Sequence, residues 1–281
     1  HRMAIAHEAG VELTLEDFDR ISRQVPFVCN LQPSGDYPIV SLDASGGIQA
    51  VLKTIESRLH KDVLTVTGKT LSTLLEPVQA RPDQVLKSMD EPQKPEGGIA
   101  ILKGNLAPSG AVVKQSGVKP SMYHFRGKAR VFDSMEEADA AVSGGGIEKG
   151  TVIVIRYEGP KGGPGMREML STTALIMGRG MAEDCALVTD GRFSGATHGP
   201  CVGHVSPEAA SGGPIGLGED GDIIEIDFPG RSLHIEVTEE EFDRRRKTSV
   251  PVRKPRKPAL AKYAALVSSA DTGAVIEVST L

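Results

Sequence analysis

The sequence predicts a mixed α/β protein in which a strand-rich, barrel-like domain follows a shorter region containing helices. In the first 90 residues the clearest pattern is at 47–59, where apolar residues recur at helical spacing. From residue 99 onward, short apolar runs bounded by turn residues predominate and few helices intervene. Residues 88–98 read SMDEPQKPEGG, and their prolines and paired glycines are typical of a linker. We therefore expect two domains, 1–90 and 91–281.

Short polar residues mark the starts of the other predicted helices. Thr14 precedes a helix over 15–23, and Thr70 precedes a further short helix. Two capping boxes, each a Ser or Thr followed three residues later by Glu, predict helices over 135–142 and 239–247.

Runs of β-branched and apolar residues predict the strands. In the second domain they are expected at Ile99–Leu102, Ala111–Lys114, Ala129–Phe132, Val152–Tyr157, Ala186–Thr189, Asp222–Asp227 and Ser232–Val237. One more strand is expected in the first domain, at Val63–Thr67. Pro229 and Gly230 predict a hairpin that joins the last two strands.

The composition argues against several classes of function. A net charge of −5 disfavours a nucleic-acid or anionic-membrane partner, and no apolar run has the length that a membrane span needs. We expect no signal peptide and, with only three widely spaced cysteines, no disulfide framework. The few cysteines favour a reducing, intracellular compartment. Aromatic residues are 4% of the chain, Trp is absent and glycine is abundant, which suits an α/β enzyme better than a protein-interaction module.

The first ten residues, HRMAIAHEAG, have the pattern of the middle of a helix that Gly10 closes. They contain neither an initiator Met nor a helix start signal. We therefore expect the chain to be a fragment of a longer protein.

Two glycine-rich loops in the second domain are the candidate functional site. The first, Gly159–Gly165, reads GPKGGPG, and its bare backbone can approach a ligand closely. It lacks the G-K-[ST] ending of a phosphate-binding loop, so we favour a small carboxylate as its ligand. The second, Asp190–Gly195, follows the predicted strand Ala186–Thr189 and carries Ser194.

The residues alone leave the roles of Ser194 and Glu168 open. Ser194 lies in G-x-x-S-G, which is not the G-x-S-x-G of hydrolases, and its hydroxyl could simply bond to its own loop. As a base, a serine needs a cation or oriented N–H donors that hold it as an alkoxide. Glu168 could pair with the adjacent Arg167, or it could be one oxygen ligand of Mg²⁺.

Histidine and cysteine supply a second, weaker candidate for metal binding. His198, Cys201 and His204 have H-x₂-C-x₂-H spacing, which is compatible with zinc. Glycine and proline predict that this segment is a turn, and a fourth ligand is not evident, so we disfavour a zinc site. We interpret Cys29, Cys185 and Cys201 as core or loop residues.

Several motifs, taken in chain order, resemble the dihydroxy-acid dehydratase and phosphogluconate dehydratase family. They are AIAHEAGVELTLEDFDRIS, LTVTGKTL, LKGNLAPSGAVVK, GPKGGPGMREM, TDGRFSG, GHVSPEAA, GGPI and LAKYAALVSSADTGAV. The last motif favours the dihydroxy-acid branch over the sugar-acid branch. The resemblance implies a swivelling β/β/α barrel of the aconitase-domain kind, preceded by the tail of an α/β domain. Asn30 and Asp43 depart from the family's usual aspartate and histidine.

The resemblance also implies an activity, which is the dehydration of 2,3-dihydroxy-3-methyl acids to 2-keto acids in branched-chain amino-acid biosynthesis. Ser194 would be the base and Glu168 a magnesium ligand. The substrate-binding residues would be Gly163, Gly165, Met166, Asp190, Gly191 and Gly195. An iron–sulfur cluster, 2Fe-2S rather than 4Fe-4S, would have its cysteine ligands outside this chain, so the isolated chain is expected to be inactive.

Two alternatives stay open at this point, a sugar-acid dehydratase and a barrel domain that binds a small acid without catalysis. The resemblance further implies a homodimer without nucleic-acid or membrane partners. It implies location in the cytoplasm of a bacterium, or in a mitochondrion or plastid of a eukaryote.

Overall fold

A computed structural model describes residues 1–195, 197–250, 252, 254 and 256–277. The chain divides into two compact units, one made of His1–Asp19 with Ile99–Leu281 and the other of Arg20–Gly98. The domain limits predicted from the linker stay a prediction. None of the described helices is long and apolar enough to cross a membrane.

The smaller unit contains short helices and a small core. Helix α1 (Arg2–Glu8) belongs to the larger unit, and α2 (Leu15–Gln24) begins there and ends in the smaller unit. The other helices of the smaller unit are α3 (Val40–Ala44), α4 (Gly47–Thr54) and α5 (Leu71–Leu75). Its core is made of Val28, Ala50 and Leu86. The helix predicted over 47–59 ends at Thr54, and a 3₁₀ turn over Glu56–Arg58 follows it. Thr70 caps α5 as predicted, because its side chain accepts the N–H of Thr73.

The strand predicted at Val63–Thr67 is wrong. The segment forms a tight turn instead, in which the Thr65 N–H donates to the carbonyl of Lys69 at 2.9 Å and Gly68 has φ +74°. The side chain of Val66 is fully exposed. Since the chain folds back on itself within a few residues, the segment has neither the length nor an apolar partner for a strand.

One eight-stranded sheet dominates the larger unit. Its strands are β1 (Ala100–Leu102), β2 (Gly110–Val113), β3 (His124–Phe132), β4 (Thr151–Ile155), β5 (Ala186–Thr189), β6 (Cys201–Ser206), β7 (Ile223–Asp227) and β8 (Ser232–Ile235). Their order is β1-β2-β6-β5-β4-β3-β7-β8, with the central four parallel and the others antiparallel to their neighbours. A parallel bridge between Lys103 and Ser232 joins the two edges, so the sheet forms a nearly closed barrel.

The seven strands predicted for this region are present, although several ends shift. The largest shift is in β3, which begins at His124 rather than at Ala129. The hairpin predicted around Pro229 and Gly230 joins β7 to β8. Strand β6 was not predicted, because its segment was interpreted as a turn, and that interpretation is wrong from Cys201 onward.

Alternate residues of the parallel strands face two separate cores. In β4, Val152 and Val154 pack inside the barrel, whereas Ile153 and Ile155 pack in an outer layer. The outer layer is covered by α6 (Met135–Ser143) and α7 (Leu170–Gly178), the helices that connect β3 to β4 and β4 to β5. Helices α8 (Glu239–Thr248) and α9 (Pro258–Leu266) complete the unit.

Both predicted capping boxes are present. The side chain of Ser134 accepts the N–H of Glu137, and that of Thr238 accepts the N–H of Glu241, each at 3.3 Å. The helices that they begin cover the predicted ranges within one residue at the C-terminal end.

Candidate functional site

The two glycine-rich loops meet at one edge of the barrel. They follow β4 and β5, and the carboxyl ends of neighbouring parallel strands lie at the same edge. The segment that follows the first loop also pairs directly with the second loop: the Arg192 N–H donates to the carbonyl of Arg167 at 2.9 Å, and the Met169 N–H donates to the carbonyl of Arg192 at 2.8 Å. Glu168 and Arg192 are therefore backbone partners, and Ser194 follows shortly after Arg192.

Ser194 lies on the second loop and is half-buried. Its carbonyl accepts the N–H of Thr197 at 3.1 Å, which closes a turn around Gly195. Gly195 itself is exposed, and a Cβ added there would meet nothing within 4 Å. The hydroxyl of Thr197 is buried without a hydrogen-bond partner among the described residues. The resemblance assigns Ser194 and Glu168 to one site, and this assignment stays a prediction that their position on paired segments supports.

The carboxylate of Glu168 is half-buried and has no hydrogen bond or ion pair to another described residue. The alternative of an ion pair with Arg167 is wrong, since that guanidinium pairs with Glu136 at 2.6 Å and with Glu158 at 3.3 Å. The described residues contain no group of three or more His, Cys, Asp or Glu that could hold a metal. A partly exposed carboxylate is an oxygen donor of the kind that Mg²⁺ prefers, so Glu168 is compatible with the predicted role of a single metal ligand.

Asp190 is fully buried, and its carboxylate connects segments of the site through three hydrogen bonds. It accepts the N–H groups of Tyr157 at 3.0 Å, Glu158 at 2.9 Å and Ala209 at 3.0 Å. Burial raises the pKa of Asp190 to about 7, although the hydrogen bonds act in the opposite direction. Both carboxylate oxygens of Asp190 thus hold main-chain groups of the site, and its predicted role in substrate binding stays a prediction.

Gly191 lies where the second loop passes close to the segment that follows the first loop. A Cβ there would lie 2.8 Å from the carbonyl oxygen of Arg167, so any larger residue would push the loops apart. Its N–H donates to the Thr189 hydroxyl at 3.0 Å, and its carbonyl accepts the N–H of His204 at 2.8 Å. Its backbone groups are therefore used within the protein.

The first loop is held by a second buried carboxylate, that of Glu208. It accepts the N–H groups of Lys161 and Gly162, each at 2.8 Å. Burial raises the pKa of Glu208. The sequence motif GHVSPEAA contained this glutamate, but only the structure connects it with the loop.

Gly163, Gly165 and Met166 occupy different environments within the first loop. A Cβ on Gly163 would lie 2.6 Å from Oε2 of Glu158, so this glycine is needed for packing. Gly165 is exposed with φ +94° and faces open space. Met166 is buried with φ +54°, a conformation that non-glycine residues rarely adopt.

Glu158, which the sequence analysis missed, is fully buried beneath the first loop. Its Oε1 accepts the Met135 N–H and the ammonium of Lys254, both at 3.0 Å. Its Oε2 has no hydrogen-bond partner among the described residues. Its position could have marked it as a site residue, because it is an acidic residue between a buried strand and a glycine-rich loop.

His204 lies at a bulge where the pairing of β6 with β2 shifts register. Its φ is +57°, and its ring centroid lies 6.1 Å from that of Phe193. Burial lowers the pKa of His204 to about 4, and the charge of Arg192 acts in the same direction.

A cavity of about 360 Å³ beside this bulge is lined mostly by apolar side chains, including Leu15, Phe18, Ile101 and Met166.

The cysteines do not have the environment of iron–sulfur ligands. Cys185 and Cys201 lie in the outer core layer, and Cys29 lies in the smaller unit. Burial raises the pKa of all three thiols, whereas cluster ligands are thiolates. This donor set does not fit a cluster.

Comparison with known proteins agrees with the sequence resemblance. Residues 84–274 match the model of the dihydroxy-acid/6-phosphogluconate dehydratase C-terminal domain, and residues 1–74 match that of the N-terminal domain. Proteins named dihydroxy-acid dehydratase from Clostridium novyi and Ignicoccus hospitalis are each 54% identical over 99% of this chain. The relative of that name from Acetivibrio thermocellus is 52% identical.

The chain spans about half the length of the curated relatives it matches, 51% in Clostridium novyi and 50% in Acetivibrio thermocellus. Both family models match in the expected order along the sequence. The resemblance inferred from the motifs is confirmed, and the chain belongs to the dihydroxy-acid/6-phosphogluconate dehydratase family.

Proposed function

We propose that the protein containing this chain removes water from 2,3-dihydroxy-3-methyl acids and gives 2-keto acids, a reaction of valine, isoleucine and leucine biosynthesis. One observation carries the proposal: the backbone pairing of Glu168 with Arg192, which joins the loop of the proposed metal ligand to the loop of the proposed base. The names of the relatives support this substrate class.

In the proposed reaction, the side chain of Ser194 takes the proton from C2 of the substrate. The electron pair of that C–H bond forms a C2–C3 double bond as the C3 hydroxyl leaves as hydroxide, which takes up a proton to give water. The enol then loses its O–H proton and gains a proton at C3, which gives the 2-keto acid. Glu168 would be one ligand of a magnesium ion, which stabilises negative charge on substrate oxygens when bound. The family resemblance also implies an iron–sulfur cluster and a homodimer, and the steps proposed for this chain involve neither.

The remaining site residues would position the loops and the substrate. Asp190 and Glu208 hold the main chain of the first loop and of the residues before it. Gly165 is exposed on this loop, and we assign its open side to the substrate. The apolar cavity next to Met166 supports a substrate with a methyl branch over a sugar acid, whose chain carbons carry polar oxygen groups. Its position beside the pairing loops supports a role in the same site.

A substrate panel on the full-length protein tests the proposal. We expect keto-acid formation from 2,3-dihydroxyisovalerate and at least tenfold lower kcat/KM with 6-phosphogluconate. The reverse preference would establish the sugar-acid alternative. Tight binding of dihydroxyisovalerate by the isolated chain without metal, together with no turnover by the full-length protein, would instead identify a binding module.

We propose that the isolated chain does not turn over the substrate. Glu168 supplies a metal with a single protein oxygen, and the described cysteines do not fit a cluster. The same panel run on the chain alone should therefore give no keto acid. Measurable turnover by the chain would contradict the assignment of its ligand residues.

A further inference from the structure

Lys114 provides a cation beside the Ser194 loop that the proposed reaction has not yet used. It directly follows β2, and its ammonium donates a hydrogen bond to the carbonyl of Gly195. The side chain is half-buried, and burial lowers the pKa of Lys114. Lys114 makes no ion pair with any carboxylate in the part of the chain that the structure describes.

Lys119, which follows Lys114 in the chain, has a different environment. Lys119 pairs with Glu183 on the surface, where its side chain is 65% exposed. A lysine at a surface ion pair is common and contributes little free energy. A half-buried ammonium without a counterion has lost hydration that a neutral carbonyl only partly replaces. Its position is therefore best explained by an anion that forms next to it.

The side chain of Ser194 is the group placed to carry that anion. Lys114 Nζ bonds to the carbonyl of the next residue, so standard backbone dimensions put it within roughly 8 Å of the Ser194 Cβ. The charge of Lys114 acts within this loop: burial, and then the charge of Lys114, lower the pKa of His198. A neutral His198 leaves Lys114 as the cation that faces this part of the loop from β2.

We propose that Lys114 is a positioning residue that stabilises negative charge on the Ser194 side chain. The inference rests on the proposed function, in which Ser194 is the base. A serine hydroxyl releases its proton to solvent only at high pH, and a nearby cation favours the alkoxide. The alkoxide then takes the C2 proton of the substrate and becomes a hydroxyl again. The hydrogen bond to Gly195 fixes the distance at which the charge of Lys114 acts.

Other charged groups near the loop act with or against Lys114. Arg192 is cationic but directs its Nε to the carbonyl of Met166 at 2.9 Å. The low pKa of His204 keeps that ring neutral above about pH 5. Glu168 is an anion on the paired loop and opposes an alkoxide unless it binds a metal. Lys114 therefore has to supply the favourable charge when no metal is bound.

The test measures the acidity of a thiol placed at position 194, so it does not depend on turnover. In the chain carrying Ser194→Cys, the alkylation rate of the introduced thiol is followed against pH by mass spectrometry. Near a cation the pKa of this thiol should fall about one unit below the ordinary value near 8.5. A value at or above the ordinary one would overturn the proposal, whatever becomes of any further variant.

Further substitutions in the same background separate charge from structure. Lys114→Met should raise the pKa of the thiol by about one unit, which slows alkylation about tenfold near neutral pH. Lys114→Gln, which keeps a hydrogen-bond donor, should do the same, and Lys114→Arg should restore the low value. The matched control Lys119→Met should change nothing. An unchanged thiol pKa in folded Lys114→Met or Lys114→Gln would overturn the proposal.

The full-length protein gives the corresponding result for the reaction. If the wild type turns over dihydroxyisovalerate, Lys114→Met should lower kcat at least tenfold near neutral pH and shift the rise of kcat to higher pH, with little change in KM. An unchanged pH profile would refute the role of Lys114 and leave the proposed function intact. Absence of turnover in the wild type would refute the proposed function, while the thiol experiment would still decide on the charge of Lys114.

Discussion

The first loop (residues 159–165) and the Ser194 loop (residues 190–199) are both glycine-rich, yet the protein holds them in opposite ways. Buried carboxylates of Glu208 and Asp190 accept N–H groups of the first loop and of the residues before it. In the Ser194 loop, the ammonium of Lys114 donates to a main-chain carbonyl. The comparison suggests that anions build the fixed frame of the site, whereas a cation is placed where the reaction needs one.

The largest expected loss in the free energy of unfolding follows from substituting Asp190, whose buried carboxylate accepts main-chain N–H groups. Asp190→Asn replaces one acceptor oxygen by an NH₂ group that points at a main-chain N–H, so a buried donor loses its partner. We expect the free energy of unfolding to fall by about 3 kcal/mol, measured by urea denaturation. The control Asp243→Asn changes an exposed ion pair with Arg246 and should have little effect. Equal stability of the two variants would contradict the role of Asp190.

The pH dependence of the free energy of unfolding is a second test of the role of Asp190. Burial raises the pKa of Asp190 from 3.8 to about 7, so between these values the folded chain binds a proton that the unfolded chain has released. Stability should therefore decrease as the pH rises through this window. Burial also raises the pKa of Glu208, which acts in the same direction. Urea denaturation at pH 5 and pH 8 should show a smaller difference in Asp190→Asn than in the wild type, and an equal difference would contradict the assignment.

Alanine substitutions compare the packing of the two loops directly. In Gly163→Ala, the new methyl group would lie 2.6 Å from Oε2 of Glu158 and 2.8 Å from its Cα, so the loop has to move. We expect a loss of about 2 kcal/mol in the free energy of unfolding. Thermal or urea denaturation measures this loss, and a stability equal to that of the wild type would show that the first loop is not tightly packed.

The matched substitution in the Ser194 loop should have the smallest effect. Gly195→Ala adds a methyl group where nothing lies within 4 Å, and Gly195 does not have a positive φ. We expect a change below about 0.5 kcal/mol in the same denaturation experiment. A loss as large as that of Gly163→Ala would mean that the two loops are packed alike.

Local sequence signals predicted the parts of the fold that depend on nearby residues. The capping boxes at Ser134 and Thr238 and the strand Ala186–Thr189 are present because their hydrogen bonds and apolar pattern lie within a short segment. Strand β6 was missed because the glycines and the proline of residues 198–204 were interpreted as a turn. Its pairing with β2 and β5, and not its own composition, makes it a strand.

The residues of the candidate site also fall into two groups, those that the local sequence predicts and those that only the folded structure brings together. The sequence predicted both loops from their glycine spacing, and the family motifs predicted roles for Glu168 and Ser194, which stay predictions. It could not predict the hydrogen bonds that Asp190 accepts, because one of them comes from the N–H of Ala209, 19 residues away in the chain. Nor could it connect Lys114 with Gly195, which are separated by 81 residues. Such contacts arise only when the barrel closes.

The most direct test of the account is turnover of 2,3-dihydroxyisovalerate by full-length protein carrying Ser194→Ala. The matched control is Ser211→Ala, which changes an exposed serine on a 3₁₀ turn after β6. If Ser194 is the base, its alanine variant should lose at least about 10³-fold in kcat, with fold and metal content unchanged, while the control keeps normal activity. Near-normal kcat in Ser194→Ala would contradict the account.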